Sequence, residues 1–267
     1  MTKGELVINK KVIYTFIALI VIFFGLSLVV NPPPQTETIS EVMQDAVLHN
    51  HNKVEVLGLK VNPAVISAYS VTAILLVLGV FIRFLVIPKF KIVPGSFQII
   101  LESIVGYFNN LAKTSSPVRN KFLGAYIFAA GIYIFCSTIF ELFGVPVLTT
   151  TGATVSLPAP LSDLNNAIML GVLSYLIIVS GAIAENGPKG ILKGLKEFSL
   201  PLSMSFRLFG ALLSGLLVNE LIYHYMFLSY VLPVIVAVLF TLLHAVIQAY
   251  VLTMLTSLFY GEVTNKE

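Results

Sequence analysis

Apolar runs of about 20 residues, the length a membrane-spanning helix needs, recur along most of this chain. Six segments qualify. Residues 12–30 carry no charge at all. Residues 63–86 are apolar with Arg83 near their end, and residues 122–143 hold only Glu141, also near the end. Residues 164–184 are uncharged. Residues 201–232 form a longer stretch containing Arg207, Glu220 and His224, and residues 233–260 contain His244 and Gln248. The pattern predicts an all-α integral membrane protein with about six membrane helices. The last two are long: about 30 residues at 1.5 Å each is roughly 45 Å, more than an upright crossing requires.

One stretch breaks the pattern. In residues 94–113, Ile100, Ile104, Phe108 and Leu111 recur at helical spacing, with Glu102, Asn109, Asn110 and Lys113 between them. That alternation predicts an amphipathic helix on the inner membrane surface, although a helix docked against another subunit reads the same way.

Composition excludes a water-soluble fold. The chain has 267 residues, 57% of them hydrophobic and 11% charged, with a mean hydropathy of +0.93. Soluble domains run near a quarter charged. A net charge of +3 carries no nucleic-acid signal. The single cysteine, Cys136, allows neither an intrachain disulfide nor a cysteine-based zinc site, and it reads as a small core residue.

The distribution of the charges sets the orientation. Lys3, Lys10 and Lys11 precede the first span. Arg83, Lys89, Lys91, Lys113, Arg119 and Lys121 flank the stretch between the second and third, and Lys189, Lys193 and Lys196 lie between the fourth and fifth. The opposite side receives Lys53 and Lys60. Six spans with both termini cytoplasmic put every larger basic group inside, as the charge rule expects. The first run reads either as a cleaved signal peptide or as a retained anchor. Its length, and the Asn31-Pro32-Pro33-Pro34 that follows in place of a small-residue cleavage site, favour the anchor. The chain then divides into residues 1–61, an anchor helix and an outside segment, and residues 62–267, a helical domain. His49 and His51 in the outside segment read as solvated rather than metal-binding.

Soluble-enzyme motifs are absent: no phosphate-cradling Walker loop, no His-Glu-x-x-His, no Cys-x-x-Cys. Gly187-Pro188-Lys189-Gly190 lacks the Walker spacing and reads as a turn. The informative residues are ionisable groups inside apolar helices. A central arginine is costly in a bilayer and does not escape by deprotonating, so it requires a water path, a carboxylate partner, or both. The competing reading is an arginine that snorkels to an interface. Ser203, Arg207, Ala211 and Gly215 repeat every four residues, with Gly210 and Ser214 beside them. This is a smooth stripe of small side chains carrying one cation, past which another helix can come close. On the following helix Thr241, His244 and Gln248 share a face. Glu220 and His224 sit four apart, and Glu220 with His244 reads as an ion-path pair or as an inert structural one. Glu141, Asp163 and Asn165, near outer ends of their spans, either line a wet vestibule or sit at headgroup level.

Together these residues resemble a known family. Ser203-x-x-x-Arg207-Leu208-Phe209-Gly210 with Gly215 is similar to the signature helix of the a subunit of F-type ATP synthases. Gln248-Ala249-Tyr250-Val251 with Thr253-x-Leu255-Thr256 is similar to that family's last helix, and Pro160-x-x-Asp163-Leu164-Asn165 to its fourth-span entrance. Pro94-Gly95 opening the amphipathic segment also fits. The resemblance covers about residues 60–262.

It implies a stator subunit in the plasma membrane of a bacterium, facing a rotating ring of c subunits, with two offset half-channels leading to the ring's carboxylates. Arg207 matches the arginine that separates the two paths and helps each arriving carboxylate release its ion, Gln248 the glutamine packed near it. Partners implied are the c-ring, the peripheral-stalk b subunit, membrane lipid and, indirectly, the soluble ATPase head. No cofactor, nucleotide or nucleic acid is expected to bind, and the chain is not expected to be an enzyme by itself. The sequence also departs from the family pattern. Ala211 stands where Asn is usual, Leu216 where an acid or His is frequent, Thr241 where His or Glu is usual, and Lys193 where a Glu is usual, with Glu197 nearby. Glu220 and His244 each lie about one turn from two of those places and are expected to replace the usual outer half-channel pair. The alternative function is a stand-alone ion-coupled secondary transporter, but the paired halves with broken helices that mark that class are not found.

Overall fold

The computed structural model describes residues 54–56, 59–117, 120–148, 154–196, 198–224 and 232–264, and within residues 14–25 only Tyr14, Ala18, Val21, Ile22 and Gly25. The expected first span and outside segment, with His49 and His51, therefore lie almost wholly outside the described residues.

A short hairpin opens the described chain: β1 (Val54–Val56) pairs antiparallel with β2 (Leu59–Val61), Val54 opposite Val61. Helix α1 (Pro63–Phe81) follows at once. Asn62 is its cap, accepting the Ala64 N–H at 3.0 Å, and Pro63 occupies the first turn, where a missing N–H leaves nothing unsatisfied. At its far end α1 widens into a π-turn over Ile82–Val86 and closes as a 3₁₀-turn over Ile87–Lys89. Pro88 explains the change: it has no N–H to give Phe84, and its ring crowds the Phe84 carbonyl.

The amphipathic segment forms α2 (Ser96–Ser115), two residues later than its sequence pattern suggests. Then come α3 (Asn120–Phe140), a second hairpin of β3 (Pro146–Leu148) and β4 (Thr154–Ser156), and α4 (Leu164–Asn186). Gly187, at φ +61°, turns the chain into a 3₁₀-turn (Gly187–Lys189) and α5 (Gly190–Lys196), which matches the turn expected there. Helices α6 (Ser199–His224) and α7 (Leu232–Thr264) complete the described chain.

Four of these stretches are long and apolar enough to cross a membrane by length and composition: Pro63–Lys89, Asn120–Phe143, Leu164–Lys196 and Val238–Thr264. The protein is an all-α integral membrane protein. Helix α6 is described as far as His224 and α7 from Leu232, so the expected end of α6 at 232 lies beyond the residues described for it, while α7 runs four residues past the expected 260. At 33 residues α7 is about 50 Å long, more than the bilayer core requires.

Helix α7 is the hub, packing on α2, α3, α4 and α6. Water does not drive helices together inside a bilayer, so close backbone approach must do it. Glycines stand where the helices meet. A Cβ on Gly131 of α3 would run into the Phe108 ring of α2, one on Gly181 of α4 into the Tyr260 ring of α7, and one on Gly261 of α7 into the Ser115 carbonyl of α2. Hydroxyls add bonds between helices. Tyr126 and Ser174 are 2.7 Å apart, Ser257 donates to Ser115 Oγ at 2.8 Å, and Ser116 and Thr264 are 3.0 Å apart.

Two apolar clusters fill the interior. One gathers Leu123, Ile127, Ile178, Leu200 and Tyr260; the other gathers Ile134, Leu161, Leu170, Leu208 and Leu252. Cys136 is half-buried rather than fully in the core. Helix α2 contributes only its second half. Phe108 and Leu111 pack inward and Ala112 is fully buried, whereas Ile100 and Ile104 of the predicted stripe remain exposed.

Candidate functional site

Helix α6 has two unlike faces. Met204, Ser205 and Leu208 turn inward at 2%, 4% and 1% exposure. A Cβ on Gly171 of α4 would collide with Ser205 Oγ and come within 2.8 Å of the Pro201 carbonyl, so α4 and α6 touch nearly backbone to backbone. Ser205 Oγ also donates to the Pro201 carbonyl at 2.6 Å, which keeps its hydroxyl satisfied within the helix. Ser203, Arg207, Gly210 and Ser214 face the other way and are exposed, with Ala211 and Gly215 half-buried at the border. Cβ atoms on Gly210 or Gly215 would meet nothing within 4 Å. Ser203, Arg207, Gly210 and Ser214 thus point away from the described body of the chain.

Arg207 stands where that stripe meets α7. It lines a crevice with Met204, Leu208, Gln248, Val251, Leu252 and Leu255. Arg207 and Gln248 are the two polar side chains of an otherwise aliphatic lining, so the structure brings together the pair singled out in the sequence. Gln248 is 5% exposed and shares the inward face of α7 with Thr241, Ala245 and Leu252. A guanidinium here is a fixed cation in low-dielectric surroundings, beside an amide that can both donate and accept.

His244 is half-buried, with its ring 5.7 Å from that of Phe240. It does not line the crevice. Glu220 belongs to α6, but its side chain and that of His224 lie outside the described residues, and so does the expected pairing of Glu220 with His244.

The three outer-end residues occupy separate places. Glu141 begins a 3₁₀-turn (Glu141–Phe143) at the end of α3 and is half-buried. Asp163 caps α4: one carboxylate oxygen accepts the Asn165 and Asn166 N–H groups at 2.9 and 3.3 Å, and the other accepts the Asn62 amide at 2.7 Å. Since Asn62 caps α1, one side-chain pair ties two helix N-termini together. Asn166 reinforces the tie by donating to the Ala64 carbonyl of α1 at 3.5 Å, and it also donates to the Pro160 carbonyl at 2.8 Å. Asn165 enters through its backbone N–H, and its side chain is exposed. Sequence reading missed Asn62, although Asn before Pro ahead of an apolar run is a cap signal. Among the described residues no group of three His, Cys, Asp or Glu side chains is placed to hold a metal.

The family model for the ATP synthase A chain matches residues 67–261, from early α1 almost to the end of α7. A relative from Propionigenium modestum, "ATP synthase subunit a, sodium ion specific", is 26% identical over 63% of this chain and 64% of its own length. The ATP synthase subunit a of Cereibacter sphaeroides (strain ATCC 17025 / ATH 2.4.3) is 26% identical over 72% of this chain and 76% of its own length. That of Shewanella baltica (strain OS155 / ATCC BAA-1091) is 25% identical over 49% and 58%. The match thus spans less than two thirds of two of these three relatives.

Proposed function

Since the chain belongs to the ATP synthase A chain family, we propose that it is the ion-translocating stator subunit of an F-type ATP synthase. In this reading the outward face of α6 lies along a ring of c subunits, and two half-channels deliver ions to the ring's carboxylates. The carrying observation is the position of Arg207, on an exposed stripe of small residues and in a crevice shared with buried Gln248.

The chemistry follows from a cation that does not titrate. A ring carboxylate carrying its ion is neutral and can sit in lipid. As it approaches Arg207, the positive charge favours the ionised form, so the ion is released to one half-channel before the carboxylate passes. The same charge keeps a loaded carboxylate from slipping by, and so keeps the two paths apart. Gln248 orients the guanidinium. Ser203, Gly210, Ala211, Ser214 and Gly215 keep the surface low enough for a helix to slide past. Glu220 and His244 serve the outer half-channel. Glu141 and Asn165 lie toward its mouth, and Asp163 positions the helix ends there. The b subunit of the peripheral stalk holds the chain against rotation, the soluble head carries out the nucleotide chemistry, and both termini face the cytoplasm of a bacterium.

The coupling ion is a proton or sodium, and one relative's name specifies sodium for that relative. Ion-driven ATP synthesis in membranes, with proton and sodium gradients imposed separately, tests the reading. Arg207→Ala is expected to abolish synthesis while the complex still assembles, and the gradient active in wild type names the ion. Normal synthesis by Arg207→Ala would overturn it. Glu220→Gln is expected to slow synthesis, and an unchanged rate would remove Glu220 from the path.

A further inference from the structure

The link between α1 and α2 carries two apolar residues that touch almost nothing. Ile92 is 103% exposed and Val93 83% exposed, at a bend between the 3₁₀-turn ending at Lys89 and the start of α2 at Ser96. The loop is nonetheless held in place. The Gln98 side chain accepts the Lys91 N–H at 3.1 Å and donates to the Lys91 carbonyl at 3.1 Å, the two-bond pattern by which paired strands hold each other. The Gln98 amide also donates to Glu102 Oε1 at 2.7 Å, which anchors the clamp one turn further into α2. A side chain of α2 thus braces the loop and presents Ile92 and Val93 at its tip.

Position and charge indicate what covers them. The candidate span ends at Lys89, so Ile92 and Val93 are three and four residues beyond it. Four residues reach at most about 14 Å, so the tip stays within reach of the headgroup layer, roughly 5–8 Å deep beyond the hydrocarbon edge. Lys89 and Lys91 are exposed just before the bend, and Phe97 and Ile100, 58% and 59% exposed, continue the apolar surface onto α2. Apolar side chains set directly beside two lysines match an anionic leaflet: the aliphatic tips enter the acyl boundary and the ammonium groups stay among phosphates.

We propose that the Lys89–Pro94 loop is an anionic-phospholipid contact, with Ile92 and Val93 inserted at the headgroup–acyl boundary, Lys89 and Lys91 on lipid phosphates, and Gln98 as the positioning residue. The contact follows from the membrane fold and is independent of the rotor reading.

The chain contains no tryptophan, so Ile92→Trp supplies a single emitter in the full-length protein. It is reconstituted in phosphatidylcholine vesicles with and without phosphatidylglycerol. Bromine-labelled lipid should quench the tryptophan, and aqueous iodide should fail to, more completely with phosphatidylglycerol present. Lys89→Gln and Lys91→Gln should each lower the ratio of immersed to exposed tip about fivefold, the weight of one lysine at an anionic surface. Because tryptophan itself favours interfaces, a spin label on Val93→Cys in a Cys136→Ala background repeats the depth reading without that bias. Gln98→Ala should raise that label's mobility. A tip open to water in both lipids, immersion indifferent to the lysines, or shielding that occurs only in an assembled complex would each overturn the proposal. The last outcome would mean that a protein partner covers the loop.

Discussion

The inward and outward faces of α6 both bring small residues to the surface, Ser205 on one and Ser203, Gly210 and Ser214 on the other, and they differ in what those residues meet. Inward, Ser205 meets Gly171 of α4 so closely that no side chain fits between the two helices. Outward, Ser203, Gly210 and Ser214 are exposed, and a Cβ on Gly210 would meet nothing within 4 Å. Small residues at a helix interface mark a close approach in either case, and the inward face shows what a satisfied one looks like. The outward face carries Arg207, which would be an expensive ornament for a surface meant only for lipid. Small size alone does not separate packing from function, whereas small size with a charge and an unfilled surface does.

Substitution at matched glycines is the sharpest way to break this comparison. Gly171→Val should destabilise the protein by about 1–3 kcal/mol or more, because the Pro201 backbone opposite has nowhere to move. Gly210→Val should leave the chain's own thermal unfolding in detergent within about 0.5 kcal/mol of wild type, since it meets open space, yet depress ion-driven synthesis in the assembled complex. Equal unfolding shifts for the two variants would remove the distinction between the faces.

The capping pair offers a smaller effect. Asp163→Ala removes an N-cap from α4 and the acceptor of Asn62, and should lower stability by about 1–2 kcal/mol, read by thermal unfolding. Asn62→Ala, which keeps the α4 cap, should lower it less. Were Asp163 purely a vestibule group, synthesis would fall with no change in unfolding. The smallest effect belongs to Thr256, fully buried with a hydroxyl that has no hydrogen-bond partner among the described residues. Thr256→Val replaces that hydroxyl by a methyl of similar shape, and should be neutral or stabilising by up to about 1 kcal/mol. A loss of stability would show that the hydroxyl is satisfied after all.

Much of this was legible in the sequence, for physical reasons. Apolar runs announced α1, α3, α4 and α7 because a bilayer demands length and uniformity. Arg207 and Gln248 stood out because polar groups inside such runs are rare, and the crevice joins them. What stayed hidden depends on partners rather than pattern. Ile100 and Ile104 have the right helical spacing, yet only the second half of α2 reaches α3 and α7, so periodicity gave the face without its occupant. The link from Asn62 to Asp163 joins residues 101 apart in sequence, beyond any local signal. The hairpins are three residues per strand, too short for an alternating pattern to register. The π-turn before Pro88 was readable as a break but not as a widened turn.

Proximity capture tests the central claim most directly. A photo-crosslinking residue is placed at Ser214, on the outward face of α6, and separately at Met169, which is 71% exposed on α4. Both are examined in native membranes. The account predicts that Ser214 captures a small, hairpin-sized ring subunit while Met169 captures lipid. Capture of lipid alone at Ser214, as at Met169, would contradict it.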